Sequence, residues 1–168
     1  MSRSESTLRE STLLDLSELV GDVVGDQARA ADAAGLSLDL ALETATVIGD
    51  RMLLERLVGN LVENAIRYTP RGGWVRVEVG TEAGGAILQV ANSGPVLTPQ
   101  VVAELFEPFQ RGRGDRPDRP RGFGLGLAIV HSVTTAHDGE VAASSPAQGG
   151  LVVTVRFPPA GTLPSTSI

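Results

Sequence analysis

Apolar residues along this chain recur at two different periods, and the switches between them divide it into helices and strands. Leu14, Leu16, Leu19, Val20, Val23, Val24 and Ala28 return every third or fourth position, the spacing that places side chains on one helix face. A first amphipathic helix is predicted there, with Asp15 or Ser17 as its cap and Gly35 near its end. Residues 1–13 are polar and read as a loose N-terminal segment. Leu36, Leu38, Leu40 and Leu42 then alternate as in a half-buried strand, and a short strand follows at 46–48.

Gly49 and Asp50 open a second predicted helix that runs through Tyr68, with Leu53, Leu54, Leu57, Leu61, Val62, Ala65 and Ile66 as its buried stripe. Strands over 74–79 and 86–91 join through Gly84 and Gly85 as a hairpin with a longer loop. Thr98 starts a short helix, a longer one spans 126–136, and strands follow near 140–143 and 151–157. Residues 106–121 hold neither period and read as a long mobile loop, and 159–168 as a flexible tail. Three main helices and about five strands, meeting mostly through hairpins, imply an α/β (α+β) two-layer sandwich with a mixed, mainly antiparallel sheet.

A length of 168 residues fits one domain. Cysteine is absent, which excludes disulfides, zinc ribbons and thiol nucleophiles. All 14 basic residues are arginine, which excludes a P-loop lysine and any lysine base. A formal charge of -6 argues against general nucleic-acid binding. No run is long and apolar enough to span a bilayer, and the start lacks a signal-peptide core, so a cytoplasmic protein without membrane insertion is expected.

Two features point to a nucleotide site. Asn60 and Asn64 stand four apart on the second helix and project from one face, where amide oxygens suit a hard cation such as Mg2+. Gly122, Gly124 and Gly126 run into the helical pattern of Leu127, Ile129, Val130 and Val133, leaving backbone N–H groups unscreened at a helix N-terminus where phosphate binds.

The order of these motifs resembles the ATP-binding catalytic domain of sensor histidine kinases, in the Bergerat-fold superfamily shared with gyrase, Hsp90 and mismatch-repair ATPases. The resemblance covers residues 14–158 as one catalytic domain, with an ATP lid at 106–121. Asn60 to Tyr68 is similar to the N-box. It implies that Asn64 ligates Mg2+ bridging the ATP phosphates, Arg67 contacts phosphate and Tyr68 packs near the nucleotide. Asn60 falls where related ATPases and serine kinases carry a glutamate; an amide cannot take a proton from water, so ATP is held for an incoming histidine.

Asn92, Ser93, Gly94, Pro95 and Val96 occupy the G1 box, with Asn92 in place of an aspartate that accepts from the adenine amino group and Val96 in place of a glycine. Asparagine can still accept through its oxygen, and its NH2 can donate to a ring nitrogen. Phe106 and Phe109 match the F-box as apolar anchors. Gly122, Gly124, Leu125, Gly126 and Leu127 match the G2 box that closes on the triphosphate. Arg111 holds the basic lid position and is expected at the γ-phosphate, with Arg113, Arg116, Arg119 and Arg121 adding diffuse attraction. Gly149 and Gly150 resemble the family's last glycine element and read as a structural turn.

Neither His131 nor His137 has the context of a phosphoacceptor, and both read as surface or helix-end residues. The start at Met1 and the tail lead to the expectation of a stand-alone catalytic subunit, and the lack of dimerisation helices with a net charge well away from zero to that of a monomer. It would act in trans on a separate, histidine-bearing dimerisation protein, membrane-bound or not, with a response regulator downstream. The competing readings are a nucleotide-sensing or protein-binding adaptor, which the Asn92 and Val96 departures favour, and an anti-sigma-type serine kinase or ATPase, against which Asn60 speaks.

Overall fold

Val75, Val77 and Val79 are buried while Trp74 and Arg76 between them are exposed, and the same alternation holds Ala86, Leu88 and Val90 inward on the next strand. A sheet with one apolar face needs a second layer to cover it. The computed structural model describes residues 11–106 and 123–160. Its elements are β1 (Ser11–Asp15), α1 (Leu16–Ala33), β2 (Ser37–Leu42), β3 (Thr46–Asp50), α2 (Arg51–Tyr68), β4 (Trp74–Glu82), β5 (Gly85–Asn92), α3 (Pro99–Glu104), α4 (Phe123–Ala136), β6 (Glu140–Ser144) and β7 (Leu151–Arg156).

The main sheet has five strands in the order β2-β4-β5-β7-β6. β2 runs parallel to β4, with Ser37 opposite Trp74, and the other pairs are antiparallel. α2 packs against both α1 and α4, and Leu54, Leu57, Val58, Leu61 and Val62 of α2 join one continuous core with the inward valines of the sheet. This is the two-layer sandwich expected.

The helix caps follow the predicted chemistry. The Asp15 carboxylate accepts from the Ser17 amide at 3.0 Å and the Ser17 hydroxyl at 2.7 Å, and the hydroxyl above all holds this carboxyl below its ordinary range. Asp50 accepts from the Leu53 amide at 3.2 Å, and Thr98 from the Val101 amide at 3.2 Å.

Four local expectations change. Of the loose segment and helix start placed at 1–14, residues 11–14 belong instead to β1, which pairs antiparallel with β3 in a separate two-stranded sheet, Leu14 facing Val47, and the helix begins at Leu16. The β4–β5 hairpin turns on two residues only: Glu82 pairs with Gly85, and Ala83 and Gly84 carry φ of 54 and 84, the positive values a type I′ turn demands. The helix expected from residue 126 begins at Phe123. His137 is at a helix end but not on the surface; it is 4% exposed.

His137 has both ring nitrogens engaged. Nε2 lies 3.1 Å from the Asp50 amide, which can only donate, and Nδ1 lies 2.8 Å from the Val133 carbonyl, which can only accept. The ring is therefore neutral with its proton on Nδ1. Burial pushes its pKa below 6.5, against the Val133 carbonyl and the Asp50 and Asp138 charges, which raise it. Above pH 6.5 the folded and unfolded chains are both neutral here and the contribution to stability is complete. Below 6.5 the unfolded chain gains a proton that the folded one does not, so stability falls until the lowered folded pKa is reached. Urea denaturation should show wild type losing more stability than His137→Gln as the pH is lowered from ~7.5 to ~5.5.

Candidate functional site

The carboxyl ends of β5 and the start of β7 converge on the C-terminal half of α2, and the space between them is a cavity of about 300 Å³. Leu61, Asn64, Ala65 and Tyr68 line it from α2, Leu127 from α4, Val90 and Asn92 from β5, and Leu151 and Val153 from β7. Gly94, Pro95, Val96, Leu97 and Thr98 form its rim with Val101 and Gly150. A mostly apolar slot with a few polar groups at fixed positions is the usual form of a small-molecule site. The described lining holds no carboxylate, imidazole or guanidinium.

Of the residues singled out in the sequence, Asn64, Tyr68, Asn92, Gly94 and Leu127 meet at this cavity. Asn64 donates through Nδ2 to the Asn60 carbonyl at 2.9 Å, so the other end of its amide is an oxygen. That atom fits an octahedral, oxygen-seeking cation completed by water and phosphate oxygens. Among the described residues no cluster of three His, Asp or Glu side chains offers a different metal site. Asn92 donates through Nδ2 to the Ser93 carbonyl at 2.9 Å, which turns its NH2 toward its own loop and leaves the oxygen as acceptor.

Two residues behave otherwise. Asn60 does not line the cavity; its Nδ2 is buried and has no hydrogen-bond partner among the described residues. Arg67 is exposed, 3.5 Å from Glu63 and 6.0 Å from the centre of the Tyr68 ring, outside the cavity lining. Arg111 and Gly122 lie outside the described residues, as do Phe109, Arg113, Arg116, Arg119 and Arg121. Gly124, Leu125 and Gly126 fall in the first turn of α4. Phe106 is half-buried, its ring 6.5 Å from that of the exposed His131.

Gly149 and Gly150 do more than turn the chain. Both are buried with φ of 103 and 90, and a Cβ on either would strike the Gly94 or the Asn92 carbonyl oxygen. The Gly150 amide donates to the Pro95 carbonyl at 3.0 Å. The Ser145 hydroxyl bonds the Gly150 carbonyl at 2.6 Å and receives the Leu97 amide at 2.9 Å. This network fixes the rim carrying Asn92 and Gly94. A glycine pair between two strands marks a turn, and only the folded approach of residues 92–95 shows why it must be glycine.

Residues 49–161 match the family described as histidine kinase-, DNA gyrase B- and HSP90-like ATPases, and the chain belongs to that family. The sensor protein CutS of Streptomyces coelicolor is 41% identical over 159 residues, covering 94% of this chain and 38% of its own length. This chain therefore spans well under half of that relative. The mycobacterial sensor histidine kinase MprB superposes with a TM-score of 0.74 at 29% identity, covering 88% of this chain and 97% of that one. Full-length ShkA in complex with AMPPNP superposes with a TM-score of 0.76 at 25% identity, covering 90% of this chain and 31% of that one. The chain is homologous to sensor histidine kinases and shares the fold of their catalytic domains.

Replacing Gly150 with alanine should lower stability by about 1–3 kcal/mol in thermal denaturation, because the new Cβ meets backbone rather than a side chain that could swing away. The same variant should change nucleotide affinity in calorimetry, whereas Leu13→Ala, on the exposed edge of β1, should change neither.

Proposed function

We propose that the chain binds Mg-ATP in this cavity and donates the γ-phosphoryl group to a histidine on a separate dimerisation protein within a two-component system. The observation that carries the reading is the placement of Asn64 from α2 and Asn92 from β5 in the lining of one apolar slot, which offers separate polar groups to a base and to a metal-bound triphosphate. The adenine amino group donates to the Asn92 oxygen, and Tyr68, Leu127 and Val153 shield the base from water. Asn64 would hold the metal through its amide oxygen, and the metal would supply charge neutralisation for the phosphates.

The apolar face of Leu127 places the first turn of α4 at the slot, and its free N–H groups receive phosphate. Arg111 contacts the γ-phosphate, and Arg67 turns from Glu63 toward the phosphates. Asn60 offers no base, so water is not activated. The incoming histidine, neutral and with a lone pair on its reacting nitrogen, forms the N–P bond as the bond to the β-phosphate oxygen breaks and ADP leaves. His137 cannot be the acceptor, since both its nitrogens are engaged. The chain acts on the cytoplasmic side as a monomer, and a response regulator takes the phosphoryl group next. A second reading, a nucleotide-sensing adaptor, is favoured by Asn92 and Val96 at the rim.

Calorimetry with a non-hydrolysable ATP analogue should show magnesium-dependent binding that Asn64→Ala loses by about tenfold or more. Labelled ATP with a histidine-bearing dimerisation protein should label that protein; tight binding without transfer to any such partner would favour the adaptor. Arg111→Ala should slow transfer more than it weakens ADP binding, and equal losses would remove Arg111 from the γ-phosphate.

A further inference from the structure

The two helices that wall the cavity are antiparallel, and a hydrogen bond joins them at the end far from it. Leu61, Asn64 and Tyr68 of α2 face Leu127 of α4 across the cavity. At the opposite end, the α4 terminus reaches the α2 cap through the Asp50 amide and His137 Nε2. α4 has 14 residues, about 21 Å of stiff rod between these two places.

The His137 ring is seated closely. A Cβ on Gly49 would strike it, and the Phe157 ring meets it edge-on at 6.2 Å and 82°. The charged groups that act on it are Asp50, at the head of α2, and Asp138, in the turn after α4; Phe157 of the neighbouring strand end is uncharged. A proton on Nε2 would point at the Asp50 N–H, and the bond between the helices would be lost.

We infer that His137 is a positioning residue for the nucleotide cavity, holding the end of α4 against the cap of α2 and thereby setting the distance between the two helical walls. The inference rests on the nucleotide-binding reading above. It separates the two ring nitrogens. Nε2 makes the contact between elements, whereas the Nδ1 bond to Val133 stays within one helical turn. Glutamine places an acceptor where Nε2 stands, and asparagine places a donor where Nδ1 stands.

The experiment is calorimetric titration of the full chain, as wild type, His137→Gln and His137→Asn, with a non-hydrolysable ATP analogue and Mg2+. Conditions are those in which circular dichroism and urea curves show all three folded. His137→Gln should stay within about threefold of wild type and His137→Asn should fall by about tenfold. On acidification from pH ~7.5 to ~5.5, wild type should lose more affinity than His137→Gln. Asparagine binding as well as wild type, or glutamine as poorly as asparagine, would overturn the inference. If wild type itself does not bind, the nucleotide reading fails and amide exchange over 127–136 decides the clamp. Faster exchange in the asparagine variant alone supports it, and equal exchange in all three refutes it.

Discussion

Burial of α2 on three sides at once is the constraint on which the rest depends. Leu54, Leu57, Val58, Leu61 and Val62 are at most 2% exposed, and they touch the sheet, α1 and α4 together. Close-packed interiors transmit displacement rather than absorb it. The polar residues of the last two turns, Asn64 and Tyr68, are therefore carried on a helix whose position is set by apolar contacts, and Asn64 is oriented further by its bond to the Asn60 carbonyl. The rim at 92–95 beside them is fixed by the glycine pair at 149–150, which lets the two segments approach to backbone hydrogen-bonding distance.

The fold was legible where local pattern and local chemistry agree. α2 could be read from end to end, since Asp50 caps it, its stripe has one period and the residue after Tyr68 leaves the helix. β4 and β5 were equally plain, because each alternates between buried and more exposed positions, and β7 because its short apolar run is rich in valine. β1 was not, for a physical reason: Leu13 is 65% exposed and Leu14 continues the spacing of the helix behind it, so only pairing with β3, more than thirty residues away, makes it a strand.

The site divided along the same line. Asn64, Tyr68, Asn92 and Leu127 could be named from motif order, and they meet at one cavity. Leu97, Val101 and Leu151 carry no motif and line it because of where distant segments pass. His137 was legible as a helix-end residue but its burial was not, because nothing within its own helix reveals that it packs beside Gly49. Among the described residues the cavity wall is uncharged.

β1 and β3 form a short antiparallel ladder in which Ser11 lies opposite Asp50, the residue that caps α2. The chain thus enters the domain clipped to the head of the helix that carries Asn60 and Asn64. A twist or pull applied ahead of Ser11 therefore meets that ladder, one end of which is the helix cap, before it reaches the five-stranded sheet. The entry segment works as a lever whose fulcrum sits at one end of the nucleotide helix, about 15 Å along its axis from Asn60.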